Sequence, residues 1–246
     1  MKNIHYPRAL NYVWCILLLM SLTTAAMAGQ ATVDLRSAAN FAVLASETVT
    51  NVSSVGTTIT GDVGVSPGTA VTGFPPGSVI GTIHAGDPVA AQAQVDLTTA
   101  YNDAAGRSST DTVTLSGNIG GMTLNPGLYK STSSLEISSE DLTLDALGDP
   151  NAVFIFQMAS TLTTTSGRQV ILAGDAKASN IFWQVGSSAT FGTTSVFKGT
   201  ILASVSITVK TGATLQGRAL ARSGAVTLDS NIIVANPIAN TSWYLY

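Results

Sequence analysis

From about residue 30 onward, apolar residues come in short runs, often two apart with a hydroxyl residue between them, and Gly, Asn or Ser closes most runs. Glu47-Thr-Val-Thr-Asn51 and Thr57-Thr-Ile-Thr60 alternate in this way. A period of two is the signature of a strand with one face buried. Phe41-Ala-Val-Leu-Ala45 is a continuous apolar run. Strand-like segments then recur from residue 111: Val113-Thr-Leu115, Met122-Thr-Leu124, Leu142-Thr-Leu144, Val153-Phe-Ile-Phe156, Val170-Ile-Leu172, Ile181-Phe-Trp183, Ile201-Leu-Ala203, Ile207-Thr-Val209, Ala219-Leu-Ala221 and Val226-Thr-Leu228. Five of them read apolar–Thr–apolar, which turns the apolar pair inward and Thr outward.

The segments also repeat. Val153-Phe-Ile-Phe-Gln157 resembles Ile181-Phe-Trp-Gln184, and Ile201-Leu-Ala203 resembles Ala219-Leu-Ala221. Matching positions therefore fall at Gln157, Gln184, Ala203 and Ala221. A degenerate period of roughly 18–20 residues with one longer insertion suits the coils of a β-solenoid, each of which buries its apolar face only by stacking on a neighbour. A β-sandwich of hairpins is the alternative. Few Asn-Gly or Asp-Gly turns occur and the triplets are not arranged as hairpin pairs, so the solenoid is favoured.

One helix is expected, of about 18 residues. Asp87-Pro88 supplies an N-cap and a first-turn proline. Ala90, Ala93, Leu97, Ala100, Tyr101 and Ala104 share one face, and Gly106 ends the pattern. Gly64 to Gly86 is rich in Gly and Pro and reads as irregular loops or a cap. With the helix it forms an insertion at about 64–106. A stack of strands needs such a cap, because open edges invite aggregation.

Segment 1–28 reads as an address. Lys2, His5 and Arg8 form a basic start, Tyr12 to Leu22 an apolar run too short to span a bilayer, and Ala26-Met27-Ala28 a cleavage site. An uncleaved anchor is the alternative. Cleavage after Ala28 leaves one domain at 29–246 and removes Cys15, the only cysteine. The domain then rests on packing and backbone hydrogen bonds without disulfides. Its 14 acids against nine Lys and Arg give a formal charge of −5, and without a basic run neither nucleic acid nor a membrane surface is an expected partner.

Only 10% of the chain is charged, against about 25% in an average globular protein, and Thr occurs 32 times. Catalytic chemistry has few parts. His84 is the sole histidine after Ala28, so catalytic triads and histidine metal sites are not expected. Asp141, Asp145 and Asp149 lack a dense loop of oxygen ligands for calcium and read as turn residues. No catalytic residue, cofactor or metal is expected. The outward hydroxyls remain: Thr48 and Thr50, Thr58 and Thr60, Thr161 and Thr163, Ser188 and Thr190, Ser206 and Thr208, and Thr227 with Asp229. Coils stack about 4.7–4.9 Å apart and alternate residues sit about 6.6–6.8 Å apart, so these side chains would form a grid. Thr is stiff at χ1, and such a grid is pre-ordered. The bland reading is that Thr merely suits exposed strand positions.

At this point the sequence resembles the secreted ice-binding (antifreeze) proteins of cold-adapted bacteria and fungi. The resemblance rests on Leu35-Arg-Ser-Ala-Ala-Asn-Phe-Ala-Val-Leu-Ala45, Gly61-Asp-Val-Gly-Val-Ser-Pro-Gly68, Thr69-Ala-Val-Thr-Gly-Phe-Pro-Pro-Gly77, Gly127-Leu-Tyr129, Gly148-Asp-Pro-Asn-Ala-Val-Phe-Ile-Phe-Gln157, Asn180-Ile-Phe-Trp-Gln-Val185 and Gly217-Arg-Ala-Leu-Ala221. It implies an irregular right-handed β-helix of roughly triangular section, with one long helix alongside and a capping region, whose flattest face meets ice. It implies thermal hysteresis and inhibition of ice recrystallisation by adsorption, in a secreted monomer with no enzymatic activity. The family's Thr-Ala/Gly-x-Thr/Asn pattern adds Thr69 and Thr72, and Thr211, Gly212 and Thr214, as candidates. Thr99-Ala-Tyr-Asn102 also fits, but lies on the expected helix. Lys210 and Asp229 would bring charge to the margin of the face. A carbohydrate-binding or carbohydrate-processing solenoid is the second reading, with Trp183 and Phe191 as available aromatics. A surface adhesin is a third, although the tail from Asn236 has no anchor-like run.

Overall fold

The structure is a computed structural model that describes residues 29–235. The expected signal segment 1–28 and the tail from Asn236 lie outside those residues. Every strand pairing in it is parallel. The chain winds as a solenoid, and each complete coil gives one strand to each of three faces.

The first face stacks Ile83–Ala85, Asp62–Val65, Phe41–Ala45, the ends of Thr214–Ala221 and Val196–Ala203, then Ile181–Val185, Phe154–Met158, Gly127–Ser131 and Val113–Thr114. The second stacks eight strands, from Ala70–Thr72 to Gly117–Asn118. The third runs from Ser78–Ile80 through Thr58–Thr60, Ile232–Val234 and the starts of Thr214–Ala221 and Val196–Ala203. A bridge from Val196 to Gln169 leads on to Val170–Ala173, Leu142–Asp145 and Thr123–Leu124. The two eight-residue strands turn from the third face to the first at Gly199 and Gly217, which lie in register. Gly199 has φ +108°, and a Cβ on Gly217 would stand 1.9 Å from the Gly199 carbonyl oxygen, so this corner admits only glycine.

The repeats seen in the sequence are the coils. Phe156 pairs with Trp183 and Gln157 with Gln184, and Ile201-Leu-Ala203 pairs with Ala219-Leu-Ala221. Gln184 pairs with Leu202, so the step there is one residue shorter than the match of Gln184 to Ala203 suggested. Inside the coils the stack buries Tyr129, Phe156 and Trp183 ring on ring, with centroids 5.0 Å and 4.0 Å apart. The Trp183 indole N–H donates to the Lys198 carbonyl at 3.0 Å, which satisfies its one polar atom.

The segment read as irregular loops or a cap is a regular further coil that lies at the end of the stack. Asp62–Val65, Ala70–Thr72, Ser78–Ile80 and Ile83–Ala85 continue the three faces. Its Gly and Pro residues sit mostly in the corners between three- and four-residue strands, which hides the period of two. The N-terminal coils stack on the end of the C-terminal ones, since Val43 pairs with Ala219 and Thr50 with Thr227.

The helix, Pro88–Gly106, carries the chain back along the first face. At about 1.5 Å per residue it spans roughly 28 Å. The Asp87 side chain accepts from the Ala90 N–H, and the buried residues include all six of the expected stripe, with Asp96 added. Small residues let the helix lie close to Phe41, Leu44, Ile155, Phe182, Leu202 and Leu220, which form a second apolar layer between helix and sheet. Polar pins fix it: the Gln157 amide donates to the carbonyls of Ala104 and Arg107, both at 2.8 Å, and that of Gln184 to the Tyr101 hydroxyl at 2.8 Å. At Asp96 the largest influence, burial, opposes ionisation, yet hydrogen bonds from Ser37 and Gln92 and the charge of Arg36 hold the carboxyl below the ordinary aspartate value. A carboxyl lowered by folding stabilises the fold above its unfolded pKa and stops doing so as pH falls through its folded one. Thermal melts of Asp96→Asn should therefore show a loss of about 1–3 kcal/mol at pH 7 and a shallower decline than the parent below about pH 4. Parallel declines in the two proteins would contradict this role.

Candidate functional site

The second face has a regular composition. Its strands lie in the order Ala70–Thr72, Thr48–Asn51, Val226–Leu228, Ile207–Val209, Ala189–Phe191, Leu162–Thr164, Leu135–Ile137 and Gly117–Asn118. The backbone pairing puts Thr72 beside Thr50, Thr50 beside Thr227, Thr227 beside Thr208, Thr208 beside Thr190 and Thr190 beside Thr163. Six threonines thus stand in one file across six coils, about 4.7–4.9 Å apart. Glu136 and then Asn118 follow in the same file.

The file is held rigidly from below. On the inner side of these strands Val49, Val226, Ile207, Ala189, Leu162 and Leu135 are fully buried. A second row of small hydroxyl residues runs two positions earlier on each strand: Thr48, Ser206, Ser188, Thr161 and Ser134, with Ala70 and Ala225 in the same row. Adjacent members touch, Thr72 Oγ1 donating to Thr50 Oγ1 at 3.3 Å and Thr161 Oγ1 to Ser134 Oγ at 2.9 Å. Among the described residues, the hydroxyls of Thr163, Thr190, Thr208 and Thr227 have no protein partner. They are left to bond whatever covers the face. The six-threonine file is uncharged, regular and pre-ordered, and the expected charges, exposed Lys210 and half-buried Asp229, flank it two positions beyond Thr208 and Thr227. It can bind a repeating polar solid but provides neither nucleophile nor acid–base pair.

The expected residues divide among the faces. Thr48, Thr50, Thr72, Thr161, Thr163, Ser188, Thr190, Ser206, Thr208 and Thr227 share the second face. Thr58 and Thr60 do not join them: they lie on the third face, between Ile232–Val234 and Ser78–Ile80. Thr214 is there too, between Val196 and Ile232. Strands of the two faces alternate in the same way, so alternation alone had merged them. Thr211 and Gly212 form a corner, with the Thr211 hydroxyl donating to Asp229, and Thr69 is an exposed corner residue. The third face is uneven, with Val196, Lys198, Thr214, Gln216, Ile232 and Val234 around a shallow hollow of about 280 Å³. The first face is covered by the helix.

Other candidates resolve as structure. His84 Nδ1 lies 2.7 Å from the Asp87 carboxylate and its ring meets Phe41 edge-on. The Ala90 N–H, and after it His84, hold the Asp87 carboxyl below its ordinary value. Asp145 and Asp149 accept from the N–H groups of Leu147 and Asn151, and Asp141 from that of Gln169. Among the described residues no group of three or more His, Cys, Asp or Glu is placed to hold a metal. Trp183 and Phe191 are buried in the core. Asn51, which fits a glycosylation pattern, is buried and donates to the Gly73 carbonyl at 3.0 Å.

Glu136, Asn118 and Ser134 were not picked out from the sequence. A signal for the first was present: Leu135-Glu136-Ile137 precedes Leu162-Thr163-Thr164 by the same step that separates Phe156 from Trp183.

Residues 43–234 match the protein family described as Ice-binding-like. An ice-binding protein of Nostoc sp. (strain HG1) is 52% identical over 200 residues, 80% of this chain and 72% of its own length. One of Flavobacterium frigoris (strain PS1) is 42% identical over 215 residues, 82% of this chain and 75% of its own length. The crystal structure of an ice-binding protein from an Antarctic biological consortium is similar with a TM-score of 0.83 at 63% sequence identity, over 84% of this chain and 92% of that one.

The regular spacing of the file depends on close coil contact. Gly192 follows the Thr190 strand, and its N–H donates to Thr164 Oγ1 at 2.9 Å. A Cβ there would stand 2.5 Å from the Thr165 carbonyl carbon. Gly192→Ala should therefore push the Thr163 and Thr190 coils apart and lower stability by about 1–3 kcal/mol, read from thermal melts. An unchanged melting curve would contradict this account of the face.

Proposed function

The chain belongs to the Ice-binding-like family, and we propose that it binds ice through the threonine file of the second face. It is an ice-binding protein and not an enzyme. What supports the choice of face is one observation: Thr72, Thr50, Thr227, Thr208, Thr190 and Thr163 stand in consecutive register.

Ice is water in fixed, repeating positions. A surface that binds it must offer partners at fixed, repeating positions and must not hold liquid water more strongly. The backbone ladder supplies the repeat, and β-branched Thr keeps each hydroxyl and methyl in few rotamers. Docking then orders little that was free, which is where preorganised sites gain affinity. Once molecules are adsorbed, ice grows only as curved fronts between them, and curvature lowers the freezing temperature. That yields thermal hysteresis and slows recrystallisation. Thr48, Thr161, Ser188 and Ser206 widen the face as its second row.

The protein acts on this reading as a secreted monomer. Ala26-Met27-Ala28 supports removal of segment 1–28, and no helix among the described residues is long and apolar enough to cross a membrane.

Thr208→Tyr and Thr227→Tyr, each projecting a ring from the middle of the file, should cut the hysteresis gap several-fold in nanolitre osmometry with melting temperatures unchanged. Thr214→Tyr, on the third face, should leave the gap as it was. Loss of activity in Thr214→Tyr together with retention in the other two would move the ice contact to the third face.

A further inference from the structure

The file of threonines stops before the coils do. Leu135–Ile137 pairs with Leu162–Thr164 over three consecutive positions, and Gly117–Asn118 pairs with Leu135–Ile137 in turn. Leu135 and Ile137 are fully buried, as the inward residues of the other coils are. Ser134 keeps the second row, accepting from the Thr161 hydroxyl at 2.9 Å. Backbone, inner packing and second row therefore continue through a seventh coil. The outward residue alone changes: the place of the seventh threonine holds Glu136, which is exposed. Its carboxylate accepts from Ser138 Oγ at 3.0 Å. Among the described residues no cation stands within ion-pair distance of it.

We infer that Glu136 ends the ice-contacting surface, limiting it to six coils of a grid that is otherwise built to extend further. The inference rests on the second face being the ice-binding one. An ionised carboxylate holds liquid water strongly, and stripping that water without an opposite charge or fixed donors is costly. The water around it must face the charge, whereas water in ice follows the lattice. Glu136 also reaches further than Thr, so it stands proud of the plane that Thr163 and Thr190 define. Both effects keep ice off the seventh coil and leave that end of the face wet. Thr163 becomes the last threonine in contact.

The test is thermal hysteresis of Glu136→Thr, Glu136→Gln and Glu136→Lys at equal concentration, with Thr190→Tyr alongside and circular dichroism melts of all four. Glu136→Thr should widen the gap about 1.5- to 2-fold, as a seventh preorganised position lengthens the surface. Glu136→Gln, which removes charge but keeps length, should widen it less, and Glu136→Lys should not widen it. Thr190→Tyr should cut it several-fold. An unchanged or smaller gap in folded Glu136→Thr, with Thr190→Tyr still damaging, would overturn the role of Glu136 and leave the face intact. An undamaged Thr190→Tyr would instead overturn the choice of face. If Glu136→Thr melts early, Glu136→Gln, nearly isosteric, decides: no widening there overturns the inference.

Discussion

The parallel hydrogen-bonded ladder between coils is the constraint on which the rest of this structure depends. It fixes the spacing of adjacent strands at about 4.7–4.9 Å and their register residue by residue. A one-residue slip would turn every outward threonine inward. The core enforces the register from inside, because Val49, Val226, Ile207, Ala189 and Leu162 are buried beneath it and a slip would carry them into solvent. The surface repeat is thus a projection of core packing, and ice binding through the second face, as proposed, draws on the same bonds that hold the fold. In a chain without a cysteine after Ala28, those bonds and the apolar layers hold the register unaided.

The second feature is how the stack is closed. The coils are not in sequence order: N-terminal coils continue the stack beyond the C-terminal one, and the helix carries the chain between the two ends. This brings Thr50 and Thr72 into line with Thr227, from the opposite end of the chain. Two of the six file members are therefore contributed by a contact between the chain's two regions. The helix stabilises that join from the first face, through Phe41, Leu44 and Leu220 in one apolar layer and through Asp96 bonded to Ser37. A helix far from the threonines thus helps set the length of their file.

Much of this was legible in the residues. The match between Phe156-Gln157 and Trp183-Gln184 is a true coil pairing, and the helix with its buried stripe and Asp87 cap follows from spacing. What stayed hidden has a common cause. Each short coil carries three strands of similar alternation, so a hydroxyl at an outward position does not reveal which face it is on. Thr58 and Thr60 looked equivalent to Thr48 and Thr50 for that reason. The coil at 62–85 was obscured by Gly and Pro, which here serve its corners. Glu136 carries no threonine signature, and its place in the file follows only from the coil step that sets Leu135-Glu136-Ile137 beside Leu162-Thr163-Thr164 as it sets Phe156 beside Trp183.

On this reading the ladder presents hydroxyls and methyls so that water over them takes up a crystal-like order before ice arrives. A high-resolution crystal structure in which the second face is free of lattice contacts would test this directly. The account predicts a continuous file of ordered water along Thr72, Thr50, Thr227, Thr208, Thr190 and Thr163, one step per coil, breaking at Glu136. Featureless solvent there, or an ordered file over the third face instead, would contradict it.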